Sequence, residues 1–64
     1  MTEYLMITNS SFIHLTDDDL KKKRMSIDVA IDSCRNILFD VVIKRAGEEI
    51  YTPFWTPEQG YSCN

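Results

Sequence analysis

The sequence predicts a small α+β domain, a β-α-β-β unit whose three- to four-stranded sheet carries one helix on one face. Three observations predict it. Strand-favouring runs occupy residues 3–15 and 37–55, a helix-start signature occupies residues 16–24, and an apolar stripe of helical period follows that signature.

The first run, "EYLMITNSSFIHL", alternates Tyr4, Met6 and Thr8 with Leu5 and Ile7. "TNSS" interrupts it and "FIHL" resumes, which predicts one bulged strand or two short strands around a turn. "TDDDLKKKR" comes next. Thr16 is a favoured N-cap, and Asp19 three residues on makes an Asp variant of the capping box. Asp17, Asp18 and Asp19 suit the positive end of a helix dipole. Each also stands four residues before a lysine, a spacing that contributes about 0.2–0.5 kcal/mol per pair.

Projected at about 100° per residue, Leu20, Ile27, Ala30, Ile31, Cys34, Ile37 and Leu38 fall within roughly a third of the circle. This stripe extends the helix over about residues 17–36. The competing pattern is "MSIDVAID", where Met25, Ile27, Val29 and Ile31 alternate with Ser26, Asp28, Ala30 and Asp32. That is strand period, and it defines the alternative: a mostly β chain with a short helix at 17–24.

"ILFDVVIKRAGEEIYTPFW" predicts a hairpin turning at residues 45–48. Pro53 has no N–H for a ladder, which places the second strand at a sheet edge. Residues 57–64, with Pro57, Gly60 and no apolar pattern, read as a flexible tail. The whole chain, residues 1–64, reads as one domain.

Size limits function. A chain of 64 residues buries only about 60% of its unfolded surface. Enclosing a ligand cavity of about 300–1,000 Å³ would take most of its residues. The apolar fraction, 44%, suffices for a core, and the net charge is −3. Residues 1–24 are balanced, so the acidic excess lies in residues 25–64, which favours basic partners over nucleic acid. "MTEYLMITNSS" lacks the regions of a secretory signal, and no apolar run approaches the roughly 20 residues that span a bilayer. The expectation is a cytoplasmic chain with no membrane partner and with Cys34 and Cys63 reduced.

Catalytic motifs are missing. His14 is the single histidine, and a nucleophilic pair would need it beside Cys34 or Cys63. One histidine and two distant cysteines do not make a zinc site. Asp28 and Asp32 pair at i, i+4 with no base to accompany them. Gly47 and Gly60 stand alone, so no phosphate-cradling loop exists. The reading is a non-enzyme without metal or cofactor.

Binding surfaces are the remaining candidates. On a continuous helix, Met25, Asp28, Val29 and Asp32 share the outward face, an apolar pair edged by carboxylates. Tyr51, Phe54 and Trp55 crowd the expected edge strand, and aromatics dominate interface hot spots. These residues predict docking on a larger protein with a basic-rimmed apolar surface, inhibiting or redirecting it. Short, acidic, motif-free chains of this kind resemble phage or mobile-element accessory proteins in composition. A homodimer through the edge strand would relieve the thin stability margin. The alternative is nucleic-acid binding through Lys21, Lys22, Lys23 and Arg24, which needs further bases on the same surface.

Overall fold

A computed structural model describes residues 1–62 of the chain. Its strands are β1 (Glu3–Thr8), β2 (Phe12–Thr16), β3 (Leu38–Lys44), β4 (Thr52–Thr56) and β5 (Gly60–Tyr61). Helices α1 (Asp17–Lys23) and α2 (Ile27–Ser33), then a 3₁₀ turn over Arg35–Ile37, connect β2 to β3. All neighbouring strands are antiparallel, in the order β2-β1-β3-β4-β5. The α+β class is as predicted. The sheet has one strand more than expected, and the helix is divided.

"TNSS" is a hairpin turn. Thr8 N–H donates to Ser11 O at 2.9 Å, and the buried Thr8 hydroxyl both donates to Ser11 O and accepts from Ser11 N–H. The first strand segment is therefore two strands around a turn.

α1 begins as its sequence dictates. Thr16 Oγ1 accepts from Asp19 N–H at 3.2 Å, and Asp19 Oδ2 accepts from Thr16 N–H at 2.9 Å, closing the capping box. Asp17 adds a link to the chain start, its Oδ2 accepting from Thr2 N–H at 3.1 Å. Among the described residues, none of the three Asp–Lys pairs closes to an ion-pair distance; the helix start rests on the cap.

The single helix over 17–36 does not form. Arg24 turns left-handed, with φ 54° and ψ 43°. Its N–H bonds to Lys21 O, and Met25 N–H reaches back to Leu20 O at 3.1 Å. These two bonds make a Schellman motif, which ends a helix by satisfying its last carbonyls. Its usual apolar contact is present too, since Leu20 belongs to the core and Met25 packs against it. Ser26, an extended residue, then opens α2. Residues 27–33 are helical, so the strand reading of "MSIDVAID" fails there.

The hairpin turn falls where predicted, with Glu48 N–H on Arg45 O at 3.0 Å and Gly47 at φ 86°. β4, however, is not an edge: β5 pairs with it through Trp55–Tyr61 and Thr56–Gly60. Pro53 is accommodated beside a bulge, where Phe54 is the extra residue between Trp55 and Pro53. Part of the expected tail is thus structured, since Pro57–Gln59 turn and Gly60 at φ 71° opens β5. Cys63 lies outside the described residues, as does its expected thiol state.

Core residues Met6, Leu15, Leu38, Val41 and Trp55 come from one face of the sheet, and Leu20, Ala30 and Ile31 come from the helices above it. The helical stripe holds despite the break, except that Ile37 is exposed. All described helical residues lie on that side; among the described residues, nothing covers the opposite face.

Two substitutions test the cap and the break. Thr16→Ala should cost about 1 kcal/mol of unfolding free energy, since one orphan N–H loses its acceptor. Arg24→Gly should add about 0.5–1 kcal/mol, relieving left-handed strain at some cost in unfolded-chain entropy. Urea unfolding monitored by far-UV circular dichroism measures both.

Candidate functional site

The structure brings together only part of the predicted helix patch. Asp28, Val29 and Asp32 are exposed on α2, where they flank a shallow depression with Arg35 and Tyr61. The Ser26 hydroxyl, followed by backbone N–H groups of Asp28 and Val29, holds the Asp28 carboxyl below its ordinary range. Burial, then the Asp28 and Asp32 charges, push the Tyr61 hydroxyl upward, with Arg35 opposing. Met25 does not join this patch. The break at Arg24 redirects it onto the core.

The aromatic edge is dismantled. Trp55 is 4% exposed and sits in the core opposite Val41. Phe54 is half-buried, edge-on to Tyr4 and Tyr61 with ring centroids 5.3 and 5.5 Å away. Tyr51 is half-buried, its ring centroid 5.3 Å from the Lys44 ammonium. Strand alternation alone could not assign Trp55, because the bulge at Phe54 shifts the register. None of the three is the free aromatic surface that the sequence suggested.

Lys21, Lys22, Lys23 and Arg24 are all exposed, on α1 and its C-terminal cap. Two other bases that could extend this run are committed elsewhere. Arg35 lies by the α2 carboxylates, and Lys44 is 3.7 Å from Glu3. His14 and Cys34 stand on opposite faces of the sheet, so that pair is not assembled. His14 Nε2 instead donates to Glu3 Oε1 at 2.9 Å, whereas the Cys34 thiol donates to Ala30 O within the helical layer.

Sequence reasoning missed the uncovered sheet face. Cross-strand register aligns its side chains in three rows. Phe12, Ile7 and Asp40 form the first; His14, Leu5, Val42 and Pro53 the second; Thr16, Glu3 and Lys44 the third. Two rows are thus mainly apolar and the third is ionic. Phe12 is 70% exposed, and Phe39, the extra residue of a β3 bulge beside this face, is 62% exposed. A one-sided antiparallel sheet ordinarily turns polar residues to water. This face turns Leu5, Ile7, Phe12 and Val42.

Asp40 is the anomaly within it. Its Oδ1 is buried yet accepts no hydrogen bond among the described residues. Leaving such an oxygen unpaired costs about 1–3 kcal/mol. Within "LFDVVIK", Leu38, Val41 and Ile43 are buried whereas Phe39, Asp40 and Val42 are not, a division that the nearly continuous apolar run does not announce.

At the ionic end, the hydrogen bond from His14, reinforced by the Lys44 charge, holds the Glu3 carboxyl below its ordinary 4.5. Among the described residues, no group of three or more His, Cys, Asp or Glu side chains is arranged to hold a metal ion. Nor is any described helix long and apolar enough to cross a membrane. Comparison with family models, curated proteins and solved structures finds no match to this chain.

Trp55→Ala should remove about 3–5 kcal/mol, much of the roughly 3–10 kcal/mol expected for a chain this size. Val29→Ala, at a residue 51% exposed, should change stability by less than about 0.5 kcal/mol. Thermal unfolding separates the two. A second prediction concerns acid. The depressed Glu3 carboxyl contributes stability fully above its ordinary value of 4.5, and loses it as pH falls through the lower folded value. Glu3→Gln should therefore flatten stability against pH between about pH 5 and 3, as urea titrations at stepped pH would register.

Proposed function

We propose that this chain is a non-enzymatic protein-binding module that docks on a larger protein through its uncovered sheet face. It would inhibit or redirect that protein by occupying a surface. The observation that carries the reading is Asp40, a carboxylate in the row and strand of Ile7, Phe12 and Val42 with one buried oxygen that has no hydrogen-bond partner among the described residues. A folded chain with so thin a margin gains nothing by itself from that oxygen. A partner supplying a cation there would.

The partner's chemistry follows from the rows. Its surface presents an apolar prominence to Leu5, Ile7, Phe12 and Val42, with a lysine or arginine placed to reach Asp40. Further basic groups at the rim suit the net charge of −3. One Asp40 oxygen is already out of water, so pairing this carboxylate avoids part of the desolvation penalty ordinarily incurred by an interfacial ion pair. The α2 patch offers less, because Val29 is a lone exposed aliphatic among charges of both signs, as ordinary surfaces are.

The test uses capture of interacting molecules from source-cell lysate, with and without nuclease. One stoichiometric protein should withstand nuclease and be lost about tenfold, roughly 1.4 kcal/mol, with Val42→Lys and with Asp40→Val. Asp40→Val should meanwhile raise unfolding stability by about 1 kcal/mol, because the orphan oxygen is gone. Val29→Lys should leave capture unchanged. Retention abolished by nuclease, or following charge reversal at Lys21, Lys22, Lys23 and Arg24, would establish the nucleic-acid alternative instead. A protein held equally well by Val42→Lys would move the interface off this face.

A further inference from the structure

Only two strands lie at the ends of the described sheet, and they differ in their defences. β5 has two residues, which is itself protection against edge pairing. β2 has five, and from Phe12 to Leu15 it carries no lysine, no proline and no bulge. Natural edges of that length ordinarily carry at least one of those devices.

The hairpin fixes which β2 groups are free. Thr8 N–H bonds to Ser11 O, so this facing pair is hydrogen-bonded. The β1–β2 register continues without a shift, and antiparallel pairs alternate. Ser11, Ile13 and Leu15 therefore direct their backbone groups towards β1, while Phe12, His14 and Thr16 direct theirs outward. Thr16 N–H is already taken by Asp19 Oδ2 at 2.9 Å. The open edge thus consists of the N–H and C=O of Phe12 and of His14.

We propose that a second copy of this chain pairs with β2, antiparallel, about a two-fold axis at Ile13. In that register each Phe12 faces His14 of the other copy in a hydrogen-bonded pair. Each such pair exchanges two bonds, so every free backbone group on both edges is satisfied. A register centred on His14 sets Phe12 against the capped Thr16, and one centred on Phe12 sets His14 against Ser10 in the hairpin turn. Each leaves edge groups unmatched. The two Ile13 side chains, 36% exposed in the single chain, meet at a non-hydrogen-bonded position, where side chains approach closest. Ile13 borders a mainly apolar depression with Met6, Leu15 and Met25, edged by Lys23 and Ser33, which receives its counterpart. The contact is isologous and closed, as a two-fold dimer requires.

An edge contact of this length is smaller than a standard interface of about 1,200–2,000 Å², so the dimer is weak and concentration-dependent. Sedimentation equilibrium up to about 1 mM should show the mass doubling, and amide exchange by NMR should report where. Phe12 and His14 amides should be slowed at least tenfold on going from dilute to concentrated protein, with Ile13 and Leu15 little changed. Ile13→Lys, which sets two like charges opposite each other, should abolish the mass increase. His14→Pro should do so independently, since it deletes an outward N–H that the single chain does not use. A monomer throughout the concentration range overturns the proposal. So does a dimer whose Phe12 and His14 amides exchange as in the monomer, or one that persists in both variants while they keep the native circular dichroism.

Discussion

Met6 on β1 and Val41 on β3 oppose each other at the centre of the sheet, and both are sealed from water. That contact requires a lid. Residues 17–37 supply it, and two seven-residue helices with one 3₁₀ turn are all the helical material of the described residues. A sheet has two faces, and this lid covers one. Thin layering of this kind is the general condition of chains too short to build both sides of a core. The uncovered rows, the orphan carboxylate oxygen and the bare β2 edge all follow from where the lid stops.

Local chemistry was legible and long-range consequence was not. The Thr16 cap and the turn at Gly47 depend on residues within three or four positions of one another, so side-chain type alone specifies them. The break at Arg24 was much less visible. Helices commonly end on a left-handed glycine, whereas an arginine there announces nothing. The stronger hint lay downstream, in the pairing of Ser26, a favoured N-cap residue, with the period-two pattern that follows it. That pattern pointed to a real discontinuity in the helix, although the segment after it is helical and not extended.

Trp55 shows a different limit. Alternation assigns residues to two faces but does not say which face is covered, and here the Phe54 bulge also disturbs the alternation. The decisive facts are non-local: β5 returns to pair with β4, and α2 lies over the same side. The uncovered face was hidden for a related reason. "LFDVVIK" reads as a nearly continuous apolar run, the pattern of a strand buried on both sides. Only the tertiary arrangement reveals that Val42 has no helix above it.

The two proposed contacts make demands on the same strand without competing for the same atoms. Docking on the sheet face uses side chains of Phe12, Ile7, Leu5 and Val42, which stand roughly perpendicular to the sheet. Edge pairing uses the backbone groups of Phe12 and His14, which lie in its plane. A two-fold dimer would therefore extend the open face instead of covering it, and would continue the Asp40 row of each copy into the His14–Leu5–Val42 row of the other. Joined in that way, two weak docking sites act on a two-fold or repeating target with an effective concentration far above that of separate chains. A module with too little chain to build a deep interface can obtain binding strength from area and repetition, and the geometry of β2 supplies the means.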